Sequence, residues 1–152
     1  MRRLLATAGL VLAAGCSDTG PTGERALAIL SGQDEVPPVV TSAAGSAAFT
    51  ILADGTVEFS LTVQNITGVT AARLYQGQPG AIGTILLTLY ANAPGTPPIA
   101  SEVLAVGRIT PAGIAPVPMN SLLTLLRTAG AYVNVHTTGR PNGEIRGQIV
   151  PS

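Results

Sequence analysis

Residues 47–63 read AAFTILADGTVEFSLTV, in which two runs of alternating apolar residues flank one tight turn. Alternation with period two is typical of a strand that buries one face. A two-residue loop at Asp54 and Gly55 would turn Ile51 to the other face, because a one-residue shift of register reverses every side chain. A three-residue loop that includes Ala53 keeps one face wholly apolar. Its register pairs Ile51 with Val57, Phe49 with Phe59 and Ala47 with Leu61. We therefore predict a type I turn with a left-handed Gly55 in a G1 bulge.

Strand signals recur on both sides of this hairpin, as apolar and β-branched runs that end at Gly, Pro or Asn. The further predicted strands are Ala26–Ser31, Val69–Tyr75, Thr84–Tyr90, Glu102–Ile109, Tyr132–His136 and Glu144–Val150. Leucines at 122, 123, 125 and 126 predict one helix, capped by Asn120 and ended by Gly130. We predict an all-β fold: an antiparallel, Greek-key-like β-sandwich or flattened barrel of about seven to eight strands, with one short helix near residues 120–129.

The composition limits the function more than it defines it. The chain has 152 residues, enough for one domain with a real core, and 46% of them are hydrophobic while 11% are charged. There is no Lys, which excludes Schiff-base chemistry and a phosphate-binding P-loop lysine. Eight basic residues balance eight acidic ones, so we expect no nucleic acid partner.

The N-terminus predicts export. Two arginines precede an apolar run that is too short to span a bilayer, and small residues follow directly before Cys16, the only cysteine. We predict a signal peptide at residues 1–15, a flexible tether at 16–24 and the folded domain at 25–152. The residues before Cys16 resemble the bacterial lipobox, although Ala13 stands where Leu is commonest, and this implies that Cys16 is acylated. The alternative is an ordinary signal peptide with a nearby Cys.

Lipidation determines the predicted location of the protein. An acylated Cys16 would place the domain in the cell envelope, anchored on the periplasmic or outer face, with the lipid as its only membrane contact. It would also leave the chain without a free thiol for a disulfide or a metal site, so packing alone would have to stabilise the fold.

Two long motifs resemble one family. They are LSGQDEVPPVVTSAAGSAAF at residues 30–49 and YVNVHTTGRPNGEIRGQI at residues 132–149, with VTAARLYQGQPGAIG at residues 69–83 between them. In this order and spacing they are similar to the CHRD (chordin-type) domain, over residues 26–150. The resemblance implies that the chain is a bacterial lipoprotein-like CHRD member. Such domains usually carry a His-x-His pair in the central segment, where this chain has Arg73-Leu74-Tyr75.

The missing His-x-His pair leaves His136 as the only imidazole. One imidazole with no thiol is a poor ligand set for zinc or copper, so we predict no metal, no cofactor and a structural, hydrogen-bonded role for His136. The alternative is a metal-binding or dismutase-like protein with a degenerate site of Tyr75, His136 and carboxylates.

The acidic residues near the motifs have structural interpretations. Asp34 and Glu35 precede a Pro-Pro pair, and we interpret them as a solvated loop. Glu144 and Arg146 lie two apart in a predicted strand, and we expect an exposed pair that contributes about 0.5 kcal/mol or less.

These observations leave no group of residues that predicts catalysis. We therefore expect a non-catalytic envelope domain that binds a protein or glycan partner. Period-two parity places the polar side chains of two motifs on one sheet face if their strands are neighbours. This candidate binding surface consists of Arg73, Tyr75, Tyr132, Asn134 and His136.

Overall fold

The computed structural model describes residues 23–93, 102–114 and 117–152, and β-strands dominate these residues. The strands are β1 (Glu24–Ser31), β2 (Ala44–Ile51), β3 (Val57–Gln64), β4 (Val69–Gln76), β5 (Thr84–Ala91), β6 (Glu102–Ile109), β7 (Ala131–Thr137), β8 (Ile145–Gln148) and β9 (Val150–Pro151), and the helix is α1 (Met119–Arg127). Short 3-10 turns lie at Gly32–Asp34 and Pro111–Ile114. The predicted signal peptide, Cys16 and the tether up to residue 22 lie outside the described residues.

The β2–β3 hairpin has the predicted register. Ile51 pairs with Val57, Phe49 with Phe59 and Ala47 with Leu61. The loop is closed by hydrogen bonds from Leu52 N–H to Thr56 O and from Gly55 N–H to Leu52 O. Gly55 is left-handed, with φ of 79°. Local sequence therefore predicted this hairpin correctly, because only one register buries the whole apolar stripe.

The strands form one antiparallel sheet in the order β5-β4-β7-β8-β1-β2-β3-β6, and β9 pairs with β1 beside this path. The edge strands β5 and β6 approach each other within 8 Å between Cα atoms, so the sheet is a nearly closed barrel. This confirms the predicted all-β class, including the single helix among the described residues. The order places β7 between β4 and β8, which brings the segment at residues 69–83 beside the motif at residues 132–149.

The core lies inside the barrel. Phe49 and Leu61 from the hairpin, Leu74 from β4 and Val133 from β7 are buried there. Helix α1 adds its own leucines on one stripe, of which Leu122 and Leu126 are fully buried. Apolar burial of this kind stabilises the fold by roughly 25 cal/mol for each Å² removed from water.

The helix ends differ from the sequence interpretation. Pro118 occupies the N-cap position, so Asn120 lies inside the first turn and is not the cap. At the other end, Ala129 adopts the left-handed conformation, with φ of 52°, and Gly130 N–H donates to Leu125 O. The predicted strand Glu144–Val150 is also divided, because β8 ends at Gln148 beside β7 and β9 begins at Val150 beside β1. Ile149 between them still donates its N–H to Ala131 O.

Candidate functional site

Strands β4 and β7 bring the predicted binding surface together. Arg73 is opposite Asn134, Tyr75 is opposite Tyr132, and His136 is opposite Ala71. The five polar residues therefore share one face of the sheet. Tyr132, Asn134 and His136 are nevertheless buried, while Arg73 and Tyr75 are half-buried. The prediction placed them correctly as neighbours, but loops cover most of this layer.

The centre of the layer is a stack of planar groups. The rings of Tyr75 and Tyr132 are nearly parallel, at an angle of 3° and a centroid distance of 5.1 Å. The guanidinium carbon of Arg146 lies 3.5 Å from the Tyr132 ring centroid, which is a cation–π contact. The Tyr132 hydroxyl accepts a hydrogen bond from Gly83 N–H at 3.1 Å. These contacts hold Tyr132 rigid and leave Tyr75 as the more exposed ring.

Both ring nitrogens of His136 have partners. Nδ1 lies 3.0 Å from Pro141 O and Nε2 lies 3.0 Å from the Tyr75 hydroxyl. Because a carbonyl oxygen only accepts, Nδ1 carries the proton, and in the neutral ring Nε2 accepts from Tyr75. Burial lowers the pKa of His136, the Pro141 carbonyl opposes that shift, and the charge of Arg73 adds to the lowering. The predicted hydrogen-bonded role of His136 agrees with this geometry.

Glu35 corrects the expectation of a solvated loop. The relative exposure of Glu35 is only 6%, and Asn134 Nδ2 donates a hydrogen bond to Glu35 Oε2 at 3.2 Å. Burial raises its pKa to about 6, although the Asn134 hydrogen bond and the charge of Arg146 act in the opposite direction. The 3-10 turn before it and the Pro37-Pro38 pair after it fold this carboxyl onto β7.

Gly143 makes room for the contact between Glu35 and Asn134. A Cβ at Gly143 would lie 2.5 Å from Asn134 Oδ1 and 2.6 Å from Glu35 Oε1. The backbone there has φ of 132°, which side-chain-bearing residues rarely adopt. Both oxygens thus lie within 2.6 Å of one point, so they are neighbours.

Arg146 and Glu144 do not form the expected exposed pair. Arg146 is 3% exposed, and its Nη2 donates to Gln78 O at 3.2 Å. Glu144 instead accepts from the hydroxyls of Thr41 and Thr137, at 2.8 and 2.7 Å. The parity argument assumed that Glu144 belongs to the strand, but β8 begins at Ile145, and parity could not show that loops cover Arg146.

The buried layer opens into a cavity of about 430 Å³, which we call the Glu35 cleft. Its lining includes Glu35, Pro37, Tyr75, Tyr132, Asn134 and Arg146. Three buried side-chain oxygens lack a donor among the described residues. Two of them, Glu35 Oε1 and Asn134 Oδ1, belong to residues of this lining, but both atoms face Gly143. Of the predicted surface, Arg73 and His136 are not part of the lining.

The metal-binding alternative stays a prediction. Across residues 23–93, 102–114 and 117–152, no three His, Cys, Asp or Glu side chains come together in a group suited to a metal ion. In place of a His-x-His pair, Tyr75 holds Nε2 of His136. Metal analysis of the purified protein tests this alternative: stoichiometric copper or zinc that is lost in His136→Ala would establish it.

A family model of the CHRD domain matches residues 26–149. The chain belongs to the CHRD domain family. The match confirms the resemblance seen in the two motifs, and it includes every residue of the Glu35 cleft named above. Comparisons with curated proteins and with solved structures find no match. Among the described helices of this CHRD domain, none is long and apolar enough to cross a membrane.

Sequence reasoning missed Glu35, Gly143 and Arg146 as parts of the site. Arg146 had a usable signal, because it alternates with the inward-facing Ile145 and therefore shares the polar face with Asn134, its cross-strand partner. Glu35 and Gly143 had none, since their positions depend on loops that meet across the whole chain.

Proposed function

We propose that this CHRD domain is a non-catalytic binding module of the cell envelope, and that the Glu35 cleft is its binding site. One observation supports the proposal above all: a cavity of about 430 Å³ places the half-buried ring of Tyr75 and the exposed Ile82 beside two buried ionisable residues, Glu35 and Arg146. Binding sites combine apolar walls of this kind with a few placed polar groups. A partner group that enters the cleft can contact both kinds of lining.

The groups around the cleft support binding over catalysis. Glu35 is the one carboxyl named in its lining, and its charged neighbour is the guanidinium of Arg146, which has N–H donors and no acceptor. His136, the residue best suited to proton transfer, is engaged by Tyr75 and Pro141 and is not part of the lining. General acid–base catalysis needs a group that can reach the reacting atom, and these contacts do not provide a second one.

The envelope location comes from the sequence. An export signal followed by Cys16 predicts a lipid anchor, and the polar segment after it predicts a tether that holds the domain away from the bilayer. A tethered module at this place meets proteins and glycans of the envelope, which are the partner classes that we propose.

Capture of partners from an envelope extract tests the proposal. We expect the mature protein to retain a partner, and we expect Tyr75→Ala and Glu35→Gln to reduce the retained amount about tenfold or more. Arg108→Ala is the matched control, because Arg108 forms an exposed ion pair with Glu58 outside the cleft. Thermal unfolding of each variant checks that the fold is intact. Capture that the two cleft variants leave unchanged would contradict the proposed site.

A further inference from the structure

We propose that a second copy of this chain packs on the outer face of strands β1, β2, β3 and β6, so that the protein forms a two-fold symmetric dimer. We call this surface the β2 face, because β2 lies in the middle of it once β9 is counted beside β1. The β2 face is separate from the Glu35 cleft, since no residue that lines the cleft belongs to these strands.

Most of the large exposed apolar side chains lie on the β2 face. Within the described parts of the chain, eight such side chains are exposed, and five of them project outward from β1, β6 and β9: Leu27, Ile29, Val103, Val106 and Val150. Scattered exposed apolar residues are ordinary, but a contiguous apolar patch is typical of an interaction site. The position of these five side chains therefore indicates a surface that is covered by a partner.

Cross-strand pairing arranges the β2 face by side-chain size. One row of directly paired residues crosses five strands in the order Val150, Leu27, Ala48, Ser60 and Val106. Small side chains lie in the middle of this row and large ones at its ends. Because the outside of a barrel is convex, large side chains at the ends fill the space where the backbone curves away. The row is therefore flatter than the barrel beneath it, and a second flat surface can cover it.

The same row is complementary to itself. A two-fold axis that runs along β2 places Ala48 against Ala48 of the second copy, Leu27 against Ser60, and Val106 against Val150. Each large side chain near the axis then meets a small one, and the valines meet at the rim. Dimers of two-fold symmetry use one patch on both subunits in this way, and aligned packing of two sheets is a common arrangement of β-strands.

The charges beside this row favour the same axis. Two residues further along each strand, the paired residues are Arg25, Thr50, Glu58 and Arg108. An axis along β2 brings Arg25 of each copy to Glu58 of the other, whereas an axis between β2 and β3 would bring Arg25 to Arg108. Like charges that face each other disfavour a complex. Among the described residues, Arg25 forms no ion pair of its own.

The area of the β2 face is sufficient for a specific dimer. Its four main strands have eight residues each. With strands about 4.8 Å apart and a rise of about 3.4 Å per residue, the face covers roughly 500 Å². Two copies would thus bury about 1,000 Å² in total, near the lower limit for specific interfaces. We therefore expect a weak dimer, with a Kd on the order of 10 μM.

The predicted lipid anchors are compatible with this axis. An axis parallel to the strands leaves the strand direction unchanged, so both copies begin β1 at the same end of the dimer. The chain from Cys16 to Gly23 spans at most about 25 Å, and both anchors can reach one bilayer. An axis across the strands would place the two Glu24 ends on opposite sides. The dimer would also present two Glu35 clefts, which strengthens binding to a partner with repeated sites.

The association state of the full mature chain tests the proposal. The protein carries Cys16→Ser, because the predicted acyl chains would cause association by themselves. Sedimentation equilibrium should give twice the molar mass of one chain, with dissociation on dilution. Ala48→Glu should raise the Kd about tenfold or more, since it places two carboxylates against each other on the axis. Val40→Glu is the matched control: Val40 is 90% exposed but lies on no strand, so the Kd should stay unchanged.

Crosslinking tests the position of the axis. In the Cys16→Ser protein, Ala48→Cys introduces the only thiol, and a short bismaleimide should join two copies of the chain. Val106→Cys is the control on the same face. It would place the two thiols about four strand spacings apart, roughly 19 Å, and the same reagent should not join them. Thermal unfolding of each variant checks that the fold is intact.

Three outcomes would overturn the proposal: a monomer at every concentration up to roughly 100 μM, a dimer that Ala48→Glu leaves intact, or crosslinking from Val106→Cys without crosslinking from Ala48→Cys. Binding of a monomer to phosphatidylglycerol vesicles that Ala48→Glu abolishes would also overturn it, because lipid would then cover the β2 face. Each of these outcomes leaves the proposed function of the Glu35 cleft standing, since capture there depends on Tyr75 and Glu35.

Discussion

The buried carboxyl of Glu35 contacts the buried side-chain amide of Asn134, and its burial makes the stability of the domain depend on pH. Its folded pKa is about 6, above the ordinary value of 4.5, because burial disfavours the charged form. The folded state therefore holds this proton more tightly than the unfolded chain does. Ionisation of Glu35 therefore destabilises the folded state. This destabilisation is absent below pH 4.5, grows as the pH rises through 6, and reaches about 2 kcal/mol at neutral pH.

Glu35→Gln should remove this dependence, because a neutral amide has the same shape and does not titrate in this range. Between pH 4.5 and pH 7, the free energy of unfolding of the unmodified protein should fall by about 2 kcal/mol more than that of Glu35→Gln. Urea unfolding at the two pH values measures the difference, with Glu58→Gln as the control. An identical pH dependence in Glu35→Gln and the unmodified protein would contradict the buried position of this carboxyl.

His136 should respond in the opposite sense. Burial lowers its pKa below the ordinary value of 6.5, so the folded state disfavours the charged ring. The stability of the folded state is therefore unaffected above pH 6.5 and is reduced as the pH falls through the folded pKa. Titration of the imidazole carbon resonances should show a midpoint below 6.5. A midpoint at 6.5 or above would contradict the buried, neutral ring hydrogen-bonded by Tyr75 and Pro141.

For single residues, the sequence predicted some contacts and missed others. The neighbourhood of Tyr75, Tyr132 and His136 followed from period-two parity, which depends only on the backbone. The burial of Glu35 and Arg146 did not follow, because it depends on loops from distant parts of the chain. Charged residues beside prolines are usually solvated, and here that general rule was wrong.

Among the secondary-structure elements, the β2–β3 hairpin gives the sharpest test. Gly55 is left-handed and a Cβ there would meet nothing within 4 Å, so any cost of Gly55→Ala comes from the backbone alone. We expect a loss of about 1 kcal/mol in the free energy of unfolding. Gly139→Ala is the matched control, since Gly139 also has open space but not a left-handed φ. Equal stability of the two variants would contradict the G1 bulge.

The same hairpin shows why some elements are predictable from sequence. Its register is local, since one loop length alone places the apolar stripe on one face. The end of α1 was less predictable: the left-handed residue is Ala129, although Gly130 follows it directly and would adopt this conformation at less cost. Gly130 N–H donates to Leu125 O, as in a Schellman cap, and in that cap the left-handed residue is the one before the donor.

For the whole molecule, the all-β class followed from strand spacing, but the strand order did not. Nothing in the sequence of β7 indicates that β4 is its neighbour, and nothing in β8 indicates that β1 pairs with it. These pairings connect residues that are far apart in sequence, and their loop-closure entropy and packing are properties of the complete fold. The cleft depends on this order, because it places Tyr75 and Arg146 on opposite sides of Tyr132 within the sheet.

The lipid anchor is a prediction about the whole chain. We expect the protein expressed in a bacterium with its own N-terminus to be cut before Cys16, to gain the mass of acyl groups and to fractionate with membranes. Cys16→Ser should release the domain in soluble form, because residues 23–152 hold no cysteine. Mass spectrometry and membrane fractionation measure both properties. A membrane-bound Cys16→Ser variant would contradict lipidation as the anchor.

The central claim is that this CHRD domain takes its partner at the Glu35 cleft, and site-specific photo-crosslinking in intact cells tests it most directly. A benzophenone amino acid is placed at Ile82, which is exposed at the cleft, and in a second protein at Val106, which is exposed outside it. We predict a crosslinked partner, protein or glycan, from position 82 that disappears with Glu35→Gln, and none from position 106 apart from a second copy of this chain. A crosslink to another partner from position 106 alone, or one from position 82 that Glu35→Gln leaves intact, would contradict the account.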